Sequence, residues 1–268
     1  MRGAITYLTT VLAVSFVSCE KVIDIPLREA DRRIVVEMEV MSDPGANYLS
    51  LTKTGSVYDV SNFDAISGAS VSVTDQNGTV YVLNEIPGEP GKYTNPLLAS
   101  EENSIYTMSI STESELITAS SSTQSMPVID EIFQQTLPNI FGQISGSEED
   151  SLIIVVYEFT DPAEEVNYYL RRAWLNSETQ IYRSVFHDNL WNGETVQGGM
   201  WEVEVVAGDT VHIDLLSIDF DTYRFYLTLD ENSTSSASPA NPESNLEGNA
   251  IGYFGAFLRD TASHIITE

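Results

Sequence analysis

Cysteine occurs once in the 268 residues, at Cys19, so no intramolecular disulfide and no thiolate metal cluster can form. Basic side chains are scarce: 12 Lys and Arg stand against 40 Asp and Glu, a formal net charge of −28. Such a polyanion repels phosphate backbones, which argues against nucleic acid as a partner. Histidine is limited to His187, His212 and His264, and no His-Glu-x-x-His pattern occurs. A Gly-x-Ser-x-Gly elbow and a Gly-rich phosphate loop are also missing. No run reaches the ~20 apolar residues of a membrane-spanning helix. The chain is nevertheless 42% hydrophobic and 10% aromatic, too much for a disordered acidic tail and enough for a core.

The first twenty residues read as an address. Met1-Arg2 is a short positive start, and residues 4–17 are apolar or small, broken only by uncharged side chains. These are the proportions of a signal-peptide hydrophobic region. The run closes on Phe16-Val17-Ser18-Cys19. This resembles the bacterial lipobox, in which the thiol takes a diacylglycerol and becomes the new N-terminus; Phe16 stands where Leu is usual. The expectation is a lipoprotein signal peptide over 1–18, a lipid on Cys19 and a charge-mixed tether over 19–31. The alternative is a spare cysteine in an ordinary secretory signal. Each buried methylene adds ~0.8 kcal/mol, so one acyl chain holds marginally and two or more hold durably.

From residue 32 the pattern is short strands. Residues 33–40, 48–53, 71–74, 80–83, 105–110 and 115–119 alternate or run apolar, and Asp75-Gln76-Asn77-Gly78 is a hairpin turn. With a short strand at Tyr93 these make about seven, which predicts an immunoglobulin-like β-sandwich over 32–122. The polar, Ser-rich stretch 120–127 is placed as the domain boundary. A second β-rich domain over 126–268 is predicted with strands at 152–159, 168–175, 180–186, 201–206, 210–216 and 250–258. Within it the period changes once: Ser217 is placed as the cap of a short helix with Phe220, Tyr223 and Leu227 on one face. The fold class is therefore mainly β, carrying one short helix.

Candidate chemistry is thin. His212 and Asp214 share one face of a strand, at most half of a zinc site, and the simpler reading is a solvent-facing strand residue. No catalytic residue and no metal site are assigned. Calcium is the one cofactor that the acidic groups Glu148-Glu149-Asp150, Asp161 with Glu164 and Glu165, and Asp219 with Asp221 leave room for, though none follows the EF-hand order. Trp191 and Trp201 flank a polar, Gly-rich stretch and are the candidate contacts for a ligand or partner, by stacking on sugar or anchoring protein. The competing reading has both rings closing the edge of a core.

Several segments, in order, resemble one family. Cys19-Glu20-Lys21-Val22-Ile23-Asp24-Ile25 followed by Ile34-Val35-Val36-Glu37 is similar to the start of the domain of unknown function 4249 family. Gly68-Ala69-Ser70-Val71 resembles its Gly-Ala-x-Val strand, Pro87 to Tyr93 its Pro-Gly-x-Tyr turn, and Phe186 to Gly193 its Phe-x-Asp-x-x-aromatic-x-Gly segment. The tail from Asn241 to Ala256 is the most specific piece. The resemblance implies an outer-membrane lipoprotein of Bacteroidota, often encoded beside TonB-dependent transporters, with no established activity and no catalytic residues to carry over. The expected role is a non-enzymatic accessory or binding subunit of such a transporter. A surface adhesin or glycan-binding module and a structural cell-envelope lipoprotein are the alternatives.

Overall fold

A computed structural model describes residues 31–55, 63–138, 151–163, 165–176, 180–200, 204–234 and 240–268. Cys19, the signal region, Trp201, Glu164 and the Glu148-Glu149-Asp150 run lie outside the described residues. The chain is mainly β. In order come β1 (Ile34–Met41), β2 (Tyr48–Lys53), β3 (Ser70–Asp75), β4 (Val80–Glu85), β5 (Lys92–Thr94), β6 (Ile105–Ser111) and β7 (Leu116–Ser122). They are followed by β8 (Ile129–Pro138), β9 (Ser151–Thr160), β10 (Tyr168–Leu175), β11 (Gln180–His187), β12 (Thr195–Met200) and β13 (Thr210–Ile218). One helix, α1 (Phe220–Thr234), precedes the long last strand β14 (Ala250–Ile265).

Eleven strands join in one sheet, in the order β11-β10-β13-β14-β1-β2-β5-β4-β3-β6-β7. The other three form a smaller sheet, β12-β9-β8. The seven strands of the first block are thus consecutive in one hydrogen-bonded order, and that order continues into the second block. The join is β14. Its first half, from Ala250, pairs in parallel with β1 (Val36 opposite Gly252, Met38 opposite Phe254), and its second half pairs antiparallel with β13. The far edge of the sheet folds back to the same strand: the Ala256 N–H donates to the Ser121 hydroxyl at 2.9 Å, and Thr118 bridges Glu247.

Three clusters of buried apolar side chains follow from this arrangement. The first lies inside the curl, where alternate residues of β1, β2, β3 and β6 meet Phe254 and Ala256 of β14. The second lies between β9 of the small sheet and β10–β13. The third lies between α1 and the opposite face of β10, β13 and β14. Each fully buried Leu, Ile, Val, Met or Phe contributes about 1.5–3 kcal/mol, so all three stabilise the chain substantially.

Three local expectations differ from the structure. Ser120, Ser121 and Ser122 belong to β7, and Ser121 points inward with Ile117 and Ala119, so the Ser-rich stretch begins inside the sheet. The helix is capped by Asp219, whose carboxylate accepts the Thr222 N–H at 2.7 Å and the Ser121 hydroxyl at 2.5 Å; Ser217 is a buried residue of β13. Of the strand expected at 201–206, residues 201–203 lie outside the described residues and 204–206 are irregular, while a strand runs over Thr195–Met200 just before them.

Candidate functional site

The parallel ladder places Glu37 and Glu39 on the face of β1 away from the curled core, with Tyr253 and Gly255 beside them on β14. Gly255 matters for what crosses it. A Cβ there would stand 2.3 Å from the Phe257 ring and 3.1 Å from the Thr222 hydroxyl, so the missing side chain lets that ring and α1 settle closely on the sheet. Arg172 grips Glu39 with both terminal nitrogens, at 3.0 and 2.5 Å. Both side chains are largely buried. Tyr253 donates to Glu39 at 2.6 Å, Tyr226 of α1 donates to the Tyr253 oxygen at 2.6 Å, and Arg172 also donates to Tyr226 at 3.3 Å. A planar guanidinium suits this forked contact as no ammonium would.

The electrostatics follow from burial. Burial, then the charge of Glu39, pushes the hydroxyl pKa of Tyr226 and Tyr253 above the usual tyrosine value. Both therefore stay protonated at neutral pH. Burial opposes the charge on Arg172, but the hydrogen bonds and charge of Glu39 outweigh it and raise its pKa. Glu39 has both oxygens engaged, so this cluster holds charge in place and offers no open base.

Beside the network is a cavity of about 240 Å³, walled by Phe225, Tyr226 and Leu229 of α1 and reached by Glu37, Tyr48 and Arg183. Arg183 pairs with Asp230 at 2.5 Å and lies 4.5 Å above the Tyr226 ring. Glu37 stands at the mouth without a hydrogen-bonding partner, and its pKa is raised, first by the protein around it and then by Glu39. A larger polar cleft of about 500 Å³ opens at the other end of β1, between Arg32, Lys53, Asp64 and the loop around Glu113.

The residues singled out from sequence fall elsewhere. Trp191 packs against Phe159, Tyr169 and Phe186, with ring centroids 5.8–6.1 Å apart, and closes the edge of the second core. Beneath it Asp161 is buried, accepting from the Tyr169 hydroxyl at 2.5 Å and the Gly193 N–H at 2.9 Å. Glu165 is bonded to Gln124 and Ser125, and Asp219 caps α1. Asp214 is committed to Arg259 at 3.2 Å, not to His212. Among the described residues no group of three His, Cys, Asp or Glu side chains is placed to hold a metal ion.

Glu37, Glu39, Arg172, Tyr226 and Tyr253 were not among the sequence candidates. A signal existed: two acids alternate inside the apolar run 34–41, and Arg171-Arg172 places 2 of only 12 basic residues inside an apolar strand. Charges in a buried strand need partners.

The fold defines a mainly β protein in which helix α1 roofs a buried, hydrogen-bonded ion pair. The chain belongs to the family described as Domain of unknown function (DUF4249), whose model matches residues 20–263. A search of curated proteins finds no match to the chain.

Proposed function

We propose that this chain is a non-enzymatic outer-membrane lipoprotein that serves as an accessory or binding subunit of a TonB-dependent nutrient uptake system. The observation that carries the reading is a coincidence of boundaries. The family match begins at residue 20, directly after the lone Cys19 that closes the apolar run. A leader removed at that cysteine would leave the whole matched region as the mature protein. Residues 20–33, between Cys19 and β1, span at most ~50 Å when fully extended. That reach keeps the β-rich body within a short radius of its anchor, and tethering raises its effective concentration beside a neighbouring membrane protein.

The test is co-purification. Membranes carrying the tagged chain are solubilised in mild detergent and the tag is captured. The expected result is a β-barrel transporter in the eluate, lost when Cys19→Ser releases the chain from the membrane. A wild-type chain that elutes without any barrel contradicts the reading. Normal nutrient growth with altered envelope permeability in a deletion strain would favour the structural-lipoprotein alternative instead.

A further inference from the structure

We propose that the cavity between α1 and β1 binds a small organic cation, a primary alkylammonium, with Glu37 as its counter-charge. The inference does not depend on the lipid anchor or on a transporter partner. It starts from the charges that line the cavity. Arg172 is matched by Glu39, and Arg183 by Asp230 just outside the wall. Glu37 alone has no matching cation among the described residues, so the site carries one uncompensated negative charge. Its carboxylate and that of Glu39 repel each other, and a monocation at Glu37 relieves that repulsion.

The remaining features select among cations. Tyr48, 40% exposed, brings a hydroxyl with no hydrogen-bonding partner to the same mouth and can accept an ammonium N–H. The walls behind are Phe225, Tyr226 and Leu229, whose apolar atoms suit methylenes. A metal ion would find too few oxygens, because Arg172 and Tyr253 occupy both oxygens of Glu39. An anion would meet two carboxylates and two guanidinium groups already paired. The volume of about 240 Å³ admits roughly eight water-sized groups at ~30 Å³ each, the scale of a short amine.

The experiment is calorimetric titration of the full chain in detergent micelles with n-butylammonium, butyrate and sodium at matched ionic strength. Butylammonium is expected to bind saturably, one per chain, in the millimolar range. Glu37→Gln should weaken it about tenfold or more, and Tyr48→Phe by a few fold, since each removes a group the ammonium contacts. Both positions are exposed and unpartnered, so the variants should keep the wild-type melting temperature. Absence of saturable binding, equal binding by Glu37→Gln, or equal heats from butyrate or sodium would overturn the proposal.

Discussion

Glu39 uses both carboxylate oxygens inside the molecule, and the residue that answers it, Arg172, lies 133 positions away. Taking either charge out of water costs several kcal/mol, offset only while the pair and its tyrosines stay together. Glu39→Met or Arg172→Met should each destabilise by about 3–5 kcal/mol, because each strands the other charge. The double variant should lose much less than the sum, with apolar side chains facing each other under α1. Denaturant unfolding of the three variants completes the cycle, and strictly additive losses would show that the two residues are not coupled. At this scale the sequence displays the unusual residues but not their partners. Two Glu in an apolar run and an Arg doublet in another are visible, whereas their meeting depends on β14 entering between β1 and β13.

At the scale of elements, β14 shows most clearly what periodicity can and cannot convey. Its Gly and aromatic content marks a close-packed final strand. Its double role, parallel to β1 and then antiparallel to β13, is invisible in a local pattern because nothing local chooses the partner. Gly252 has a positive φ of 114°, and a Cβ there would stand 1.9 Å from the Val36 carbonyl oxygen. Gly252→Ala should therefore push β14 off β1 and cost more than ~4 kcal/mol, beyond the usual range for single substitutions. A thermal midpoint unchanged in that variant would mean the parallel ladder is not as described. The helix gives a complementary lesson. Its existence and place are legible, but the fully buried residues are Thr222, Phe225 and Tyr226; of Phe220, Tyr223 and Leu227, Tyr223 packs at the edge of the third core and Phe220 is exposed. Thr222 packs beside the Phe257 ring over Gly255, a steric fit that a hydrophobic pattern does not register. The polar, Gly-rich stretch between Trp191 and Trp201 gives another case. Gly198 sits in β12, where the Tyr157 ring fills the space of its missing side chain.

For the whole molecule, the prediction of a mainly β chain with one short helix holds, since short alternating runs and frequent turns survive any tertiary context. What the pattern could not convey is that the two blocks share a strand. The net charge of −28 has a consequence at this scale. Asp161, Asp214 and Asp219 all have pKa values raised, each mainly by burial. A carboxyl whose pKa is higher folded than unfolded binds its proton more tightly in the native state, so stability rises as pH falls through that higher value. Relief of self-repulsion acts in the same direction. Asp75, Glu85, Asp209 and Glu243 have lowered values and act oppositely, losing their contribution only below the ordinary carboxylate range. The melting temperature should therefore rise as pH falls from neutral toward the carboxylate range and fall again in stronger acid. A monotonic decline from pH 7 would contradict this balance.

At the same scale, the proposed anchor would hang the folded body from one modified cysteine. Its most direct test is the mass of the N-terminal peptide from the chain purified out of the membrane fraction. The account predicts a peptide that begins at Cys19 and carries a thioether-linked diacylglycerol. A peptide that retains residues 1–18, or one that begins elsewhere with the Cys19 thiol unmodified, would contradict it.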